Sequence, residues 1–312
     1  MRGWGAHCPD SGVTEPVGTP IAWVRWARME QTSLTSSKTT APWDVVTQPG
    51  PVLVAAIHAG HTIRGSLAPW LEIGETDRLR EEDPLTDFFL TAGDTIIRAN
   101  RSRFEFDLNR PSETAVTTNP EDTWGLRIWK PDMPEREKEL SLRLHRQFYD
   151  QVARRVDEMI EAHGRILVLD VHSYNHRRAG RDAEPDDPQL SPDIDLGATT
   201  LDKDIFGGLL ERFGDALRSR PLNGRTLEVG TNIRWKDGGH FPEWLHGKYG
   251  DAACVITLEY KKVFMDEWGR SADILALQDL REGFLAAVDE ARDWLAEHPA
   301  PGQAQRKARM PA

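Results

Sequence analysis

Cysteine is nearly missing from this 312-residue chain: Cys8 and Cys254 are the only two, and they stand far apart. They give no disulfide framework, which fits a reducing cytoplasm. Long apolar runs are missing too. No stretch reaches the 18 residues that a membrane span requires, and the first 28 residues lack the charged-then-apolar layout of a secretory signal. Positive charge is outweighed, with 39 Lys+Arg against 50 Asp+Glu and a net charge of −11. That excludes the broad basic face a nucleic-acid backbone needs. Local basic clusters remain, and they suit small anionic substrates. No internal repeat is present.

What is there reads as an ordinary globular chain, 39% hydrophobic and 29% charged, long enough for one large α/β domain or two small ones. Residues 1–45 are expected to form a weakly ordered extension, in which Met29, opening a polar segment, is an alternative start. Residues 46–298 read as one domain and 299–312 as a flexible tail. Apolar runs at 51–57, 166–171 and 252–258 predict buried strands, with shorter ones at 95–98 and 227–229. Periodicity predicts helices over 137–163, 202–220 and 273–297. Pro84 and Gly93 suggest another over 83–93, preceded by the acidic group Glu81, Glu82 and Asp83, which reads as helix capping. Residues 111–136, rich in Pro and Trp, read as an ordered loop. Continuous apolar strands alternating with amphipathic helices predict an α/β fold, a mostly parallel or mixed sheet with helices on both faces.

Such sheets bind ligands at the carboxyl ends of their strands. His58, His172 and Glu259 each stand at the end of an apolar run, so three residues with metal or acid/base chemistry converge on one edge. His58-x-x-His61 with a distant His172 has the spacing of a catalytic zinc site, in which three protein ligands leave one position for water. Glu82 is the alternative third ligand to His61, and Asp170 is placed to orient a ligand histidine. Glu259, a carboxylate at a buried strand end, is the candidate general base, with Glu228 as runner-up. Arg103, Asn109 and Arg110 form a candidate carboxylate-binding set, with Asp107 to orient them. Taken alone, those residues read equally well as a structural ion-pair network. Arg177 and Arg178, just after His172, offer a second basic group for a substrate carboxylate.

Four elements in this order, the His-x-Gly at His58, the segment Arg103-Phe-Glu-Phe-Asp-Leu-Asn-Arg110, the Asp170-Val-His-Ser173 strand end and Leu258-Glu259, resemble the N-formylglutamate amidohydrolase family. The likeness covers roughly residues 50–290. That family is similar to zinc carboxypeptidases and aspartoacylase, and the resemblance implies their phosphorylase/hydrolase-like α/β fold. It implies that His58 and His172 hold the metal, that Glu259 is the base, that Arg103 stabilises an oxyanion and that Asn109 and Arg110 grip an α-carboxylate. His61 stands where the related His-x-x-Glu motif has its glutamate. The expected activity is zinc-dependent hydrolysis of an N-acyl amino acid, N-formyl-L-glutamate most simply, with other transition metals also suited to the site. The alternatives are a deacylase or carboxypeptidase-like activity on another N-acyl or peptide substrate, or a silent protein that senses an acidic metabolite.

Overall fold

The computed structural model describes residues 41–300 apart from Asp237 and Arg270. The weak order expected of residues 1–40 and of 301–312 lies outside the described residues. In chain order the strands are β1 (Trp43–Thr47), β2 (Val52–Ala56), β3 (Thr95–Ala99), β4 (Ile166–Tyr174), β5 (Ile194–Gly197), β6 (Pro221–Leu222), β7 (Arg225–Thr226), β8 (Val229–Thr231) and β9 (Ala253–Lys261). β6 and β7 form a small separate hairpin. The other seven make one mixed sheet in the order β1-β3-β2-β4-β9-β5-β8. Its centre, β3-β2-β4-β9, is parallel, while β1 and β5 join their neighbours antiparallel.

The apolar runs are continuous because both faces of the sheet are covered. Leu53, Ala55 and Ile57 face one way, into a core with α2 (Glu135–His163) and α4 (His240–Tyr249). Val52, Val54 and Ala56 face the other way, toward α3 (Lys203–Arg218) and α5 (Ile274–Glu297). On that second side Phe89 stacks on Tyr260 at 4.5 Å and meets Phe284 edge-on at 5.7 Å. α2 stops at Gly164, whose φ of 72° closes the last turn with a bond from its N–H to the Ile160 carbonyl. Among the described residues no helix is long and apolar enough to cross a membrane.

Three local readings change. β1 begins at Trp43, ahead of the expected domain start at 46, and is held by pairing with β3 and by Trp43 packed edge-on against Phe148. The 83–93 segment is a 3-10 turn over Thr86–Ala92, entered through Leu85 in the left-handed region at φ 71°. Asp83 is therefore no helix cap: its backbone N–H bonds the His58 carbonyl at 3.0 Å. A short charged helix, α1 (Glu75–Glu81), precedes it. His172 and Glu259 lie inside β4 and β9, which run past the apolar residues, and the two are register partners.

Candidate metal centre and cavity

At the carboxyl edge of the sheet the rings of His58 and His172 stand 4.7 Å apart, edge to face. Asp83, brought up by its bond to the His58 backbone, points Oδ2 at both: 3.4 Å from His58 Nδ1 and 3.0 Å from His172 Nδ1. All three side chains are buried, and their donor atoms lie within 4.8 Å of one another. Each ring is backed by a second carboxylate on its far side. His58 Nε2 meets Asp107 Oδ1 at 2.7 Å, and His172 Nε2 stands 2.9 Å from Asp170 Oδ2. A carboxylate behind Nε2 keeps the proton there and turns the Nδ1 lone pair inward. His58 Nδ1 is buried and finds no hydrogen-bond partner. Burial works against ionisation of Asp83, yet His172 and His58 hold its carboxyl far below the usual range. Two inward imidazole nitrogens and an ionised carboxylate, with carboxylates behind both rings, fit a divalent transition-metal ion.

His61 does not join them. Its partly exposed ring turns to Glu82 through Nδ1 and stands 3.0 Å from Arg78 through Nε2. The reason is Gly60, where the chain presses so closely on Asn100 and Arg101 that a Cβ would lie 2.3 Å from the Arg101 carbonyl oxygen. That contact turns the following residue away from the edge. An His-x-x-His pair puts both rings on one side when it lies on a helix, and this one lies on a loop. Glu82, the alternative third ligand, is engaged by His61 and by the Ser102 hydroxyl. Asp83 occupies the third place, and the sequence held no sign of it beyond its membership of the acidic group.

The cluster opens into a cavity of about 320 Å³ that also takes in Glu259, Arg103, Asn109, Arg110, Arg178 and Lys262. Burial pushes the Glu259 carboxyl up to about 8, against the opposing pull of His172. Glu228 is exposed and does not border this cavity. Neither neighbouring lysine neutralises Glu259. Lys261 Nζ stands 3.6 Å from Asp193, and Lys262 donates to the carbonyls of Arg80 (2.7 Å) and Glu82 (2.8 Å) and to Asn175 Oδ1 (3.1 Å). Lys262 thus ties down the backbone just before Asp83, a role with no signature in sequence.

Asp107 is the hub of the opposite wall. Besides His58 it accepts from the Asn109 N–H at 2.9 Å, and its Oδ2 takes Arg103 through Nε (3.2 Å) and Nη2 (2.8 Å). Burial opposes the charge on Arg103, but Asp107 and Asp83 keep it protonated. Arg110 is held by the Asp122 carbonyl at 2.7 Å. Asn109 Oδ1 accepts from the Phe241 N–H at 3.0 Å and so caps α4, whose own N-cap, Gly239, has no side chain to do it. That bond fixes which end of the amide is oxygen and leaves Nδ2 as a donor. Arg178 borders the cavity, its guanidinium 5.3 Å from the Trp124 ring and 3.3 Å from Glu81. Arg177 does not. Glu267 holds the backbone N–H groups of His176 and Arg177, and the turn that follows sends Arg177 to solvent.

Strand order and the convergent His-Asp-His cluster define the class: an α/β protein with a candidate metal centre and a cationic cavity at the carboxyl edge of a mixed sheet. A family model described as N-formylglutamate amidohydrolase matches residues 50–264, and the chain belongs to that family. In three dimensions it is similar to the crystallised N-formylglutamate amidohydrolase of Ralstonia eutropha JMP134, with 17% identity over 82% of this chain and 99% of the other and a TM-score of 0.66. It is also similar to a gene product of Agrobacterium tumefaciens, with 21% identity over 80% and 96% and a TM-score of 0.53. Both likenesses bear on the fold. No curated protein matches the chain in sequence.

Proposed function

We propose that the protein is a divalent-metal-dependent amidohydrolase, with zinc the first choice, that cleaves the linear amide of an N-acyl acidic amino acid. The simplest substrate is N-formyl-L-glutamate, which water would split to formate and glutamate. The observation that carries this reading is the joining of the His58–Asp83–His172 donors, Glu259 and the Asn109–Arg110 donors in one cavity. His58, Asp83 and His172 would hold the ion. Bound there, a dication would polarise the acyl oxygen, acidify a water molecule and draw the Glu259 carboxyl back toward ionisation.

Glu259 takes the proton of the attacking water and passes it to the leaving nitrogen. Arg103 donates to the oxygen on which negative charge develops. Asn109 Nδ2 and Arg110 grip the α-carboxylate, which fixes the amide relative to Glu259. Arg178 adds a second cation for an acidic substrate. The buried free thiol of Cys254 suits a cytoplasmic site of action.

The test is hydrolysis of N-formyl, N-acetyl and N-succinyl amino acids by untagged protein, before and after chelation. N-formylglutamate should be the best substrate, and activity should vanish with the metal and return with zinc. Glu259→Gln should keep its zinc and lose about 10²- to 10⁴-fold in kcat. Full activity in that variant removes Glu259 as the base. Preference for another acyl group would favour the deacylase reading. Protein purified with far less than one equivalent of metal would favour the silent one.

A further inference from the structure

The roles above leave one wall of the cavity unused, where Thr199, Thr200 and His246 border it beyond the end of β5. β5 pairs with β9 only as far as Gly197 opposite Thr257. Past that point the Val255 N–H has no strand on this side, and it donates to His246 Nε2 at 3.2 Å. A ring nitrogen that accepts carries no proton, so His246 is the Nδ1–H tautomer. Burial pushes its pKa down to about 4, which keeps the ring neutral at physiological pH. The Nδ1–H faces Thr200 Oγ1 and donates to it. An oxygen that accepts from the ring turns its own hydrogen elsewhere, and Thr200 borders the cavity. Thr199 is set the opposite way. Its hydroxyl reaches Asn232 Oδ1 at 3.2 Å and the Lys236 carbonyl at 3.3 Å, both acceptors, so its hydrogen is already used.

We propose that Thr200 is a specificity-determining residue whose hydroxyl, aimed by the tautomer of His246, donates to an acceptor oxygen on the amino-acid side chain of the substrate, carboxylate or carboxamide. His246 is the positioning residue behind it. The inference rests on the amidohydrolase reading and adds which end of the cavity reads the side chain. The distances suit it. Thr257 and Glu259 lie two residues apart on one face of β9, about 7 Å, which is the scale of a glutamate side chain measured from an amide held at Glu259.

The experiment compares kcat/KM for N-formylglutamate, N-formylglutamine and N-formylnorvaline in wild type, Thr200→Val, Thr200→Ser and Arg178→Met. Wild type should prefer the two oxygen-bearing substrates. Thr200→Val, which keeps the shape and removes the donor, should cut that preference about tenfold, chiefly through KM. Thr200→Ser should retain it. Loss toward glutamate alone, glutamine alone or both tells which oxygen the hydroxyl reads. A Thr200→Val enzyme with the preference intact overturns the inference, and so does a preference that disappears only in Arg178→Met. Nitrogen-15 NMR of the imidazoles at pH 7 should show His246 as neutral Nδ1–H, and an Nε2–H tautomer or an imidazolium overturns it independently. A wild type that hydrolyses norvaline as fast as the others refutes this inference alone, whereas one that hydrolyses none of the three refutes the amidohydrolase reading with it.

Discussion

Two adjacent carboxylates, Glu82 and Asp83, have opposite fates, and the difference is a few ångströms of backbone. Glu82 meets Ser102 and His61 away from the cluster, while Asp83 is drawn in by the hydrogen bond from its N–H to the His58 carbonyl. Metal analysis on two single variants separates the ligand sets. Asp83→Ala should purify without metal, and His61→Ala should keep a full equivalent. The reverse result would restore His61 as the third ligand. Asp170 tests the layer behind the donors. Asp170→Asn removes the charge behind His172 Nε2 and should weaken zinc binding by about 10- to 100-fold in a competitive chelator titration, with the stoichiometry at saturation unchanged.

Among the elements, those that face two helical layers were legible in the sequence. β2 and β4 are buried along their whole length, so their residues are apolar without alternation, and their ends pointed to His58 and His172. α2, α3 and α5 show their stripes because each packs one face on the sheet. α1 and α4 left no such trace. The first is seven mostly charged residues, and the second is capped by Asn109 from a distant segment, so no local start signal exists. Asp83 was hidden for a related reason: what places it is a contact between two backbones, and a backbone contact carries no residue code. The side of the sheet far from the cavity is held by α5, where Phe284 meets both Phe89 and Phe213. Phe284→Ala should cost about 3–5 kcal/mol in urea denaturation. A loss under about 1 kcal/mol would show that this side can collapse around the void.

For the molecule as a whole, the cluster exists only in the folded chain, because β2, β4 and the turn at Asp83 come together through tertiary structure. A cation that binds the native state alone raises its stability, by about 2.7 kcal/mol when free metal stands at 100 times its Kd. Thermal melts of chelated protein should therefore rise as zinc is added, and the rise should be lost in Asp83→Ala. Absence of any rise in the wild type would argue against a native cation site. The double duty of Asn109 reaches further. One face of its amide closes the opening turn of α4, and the other is the donor offered to an acyl amino acid. Gly239 leaves that amide so little room that a Cβ there would fall 2.5 Å from it. Occupancy at one end should thus be heard at the other: deuterium should enter the Phe241 amide more slowly when product glutamate is bound, turning the start of a remote helix into a reporter of what the enzyme is holding.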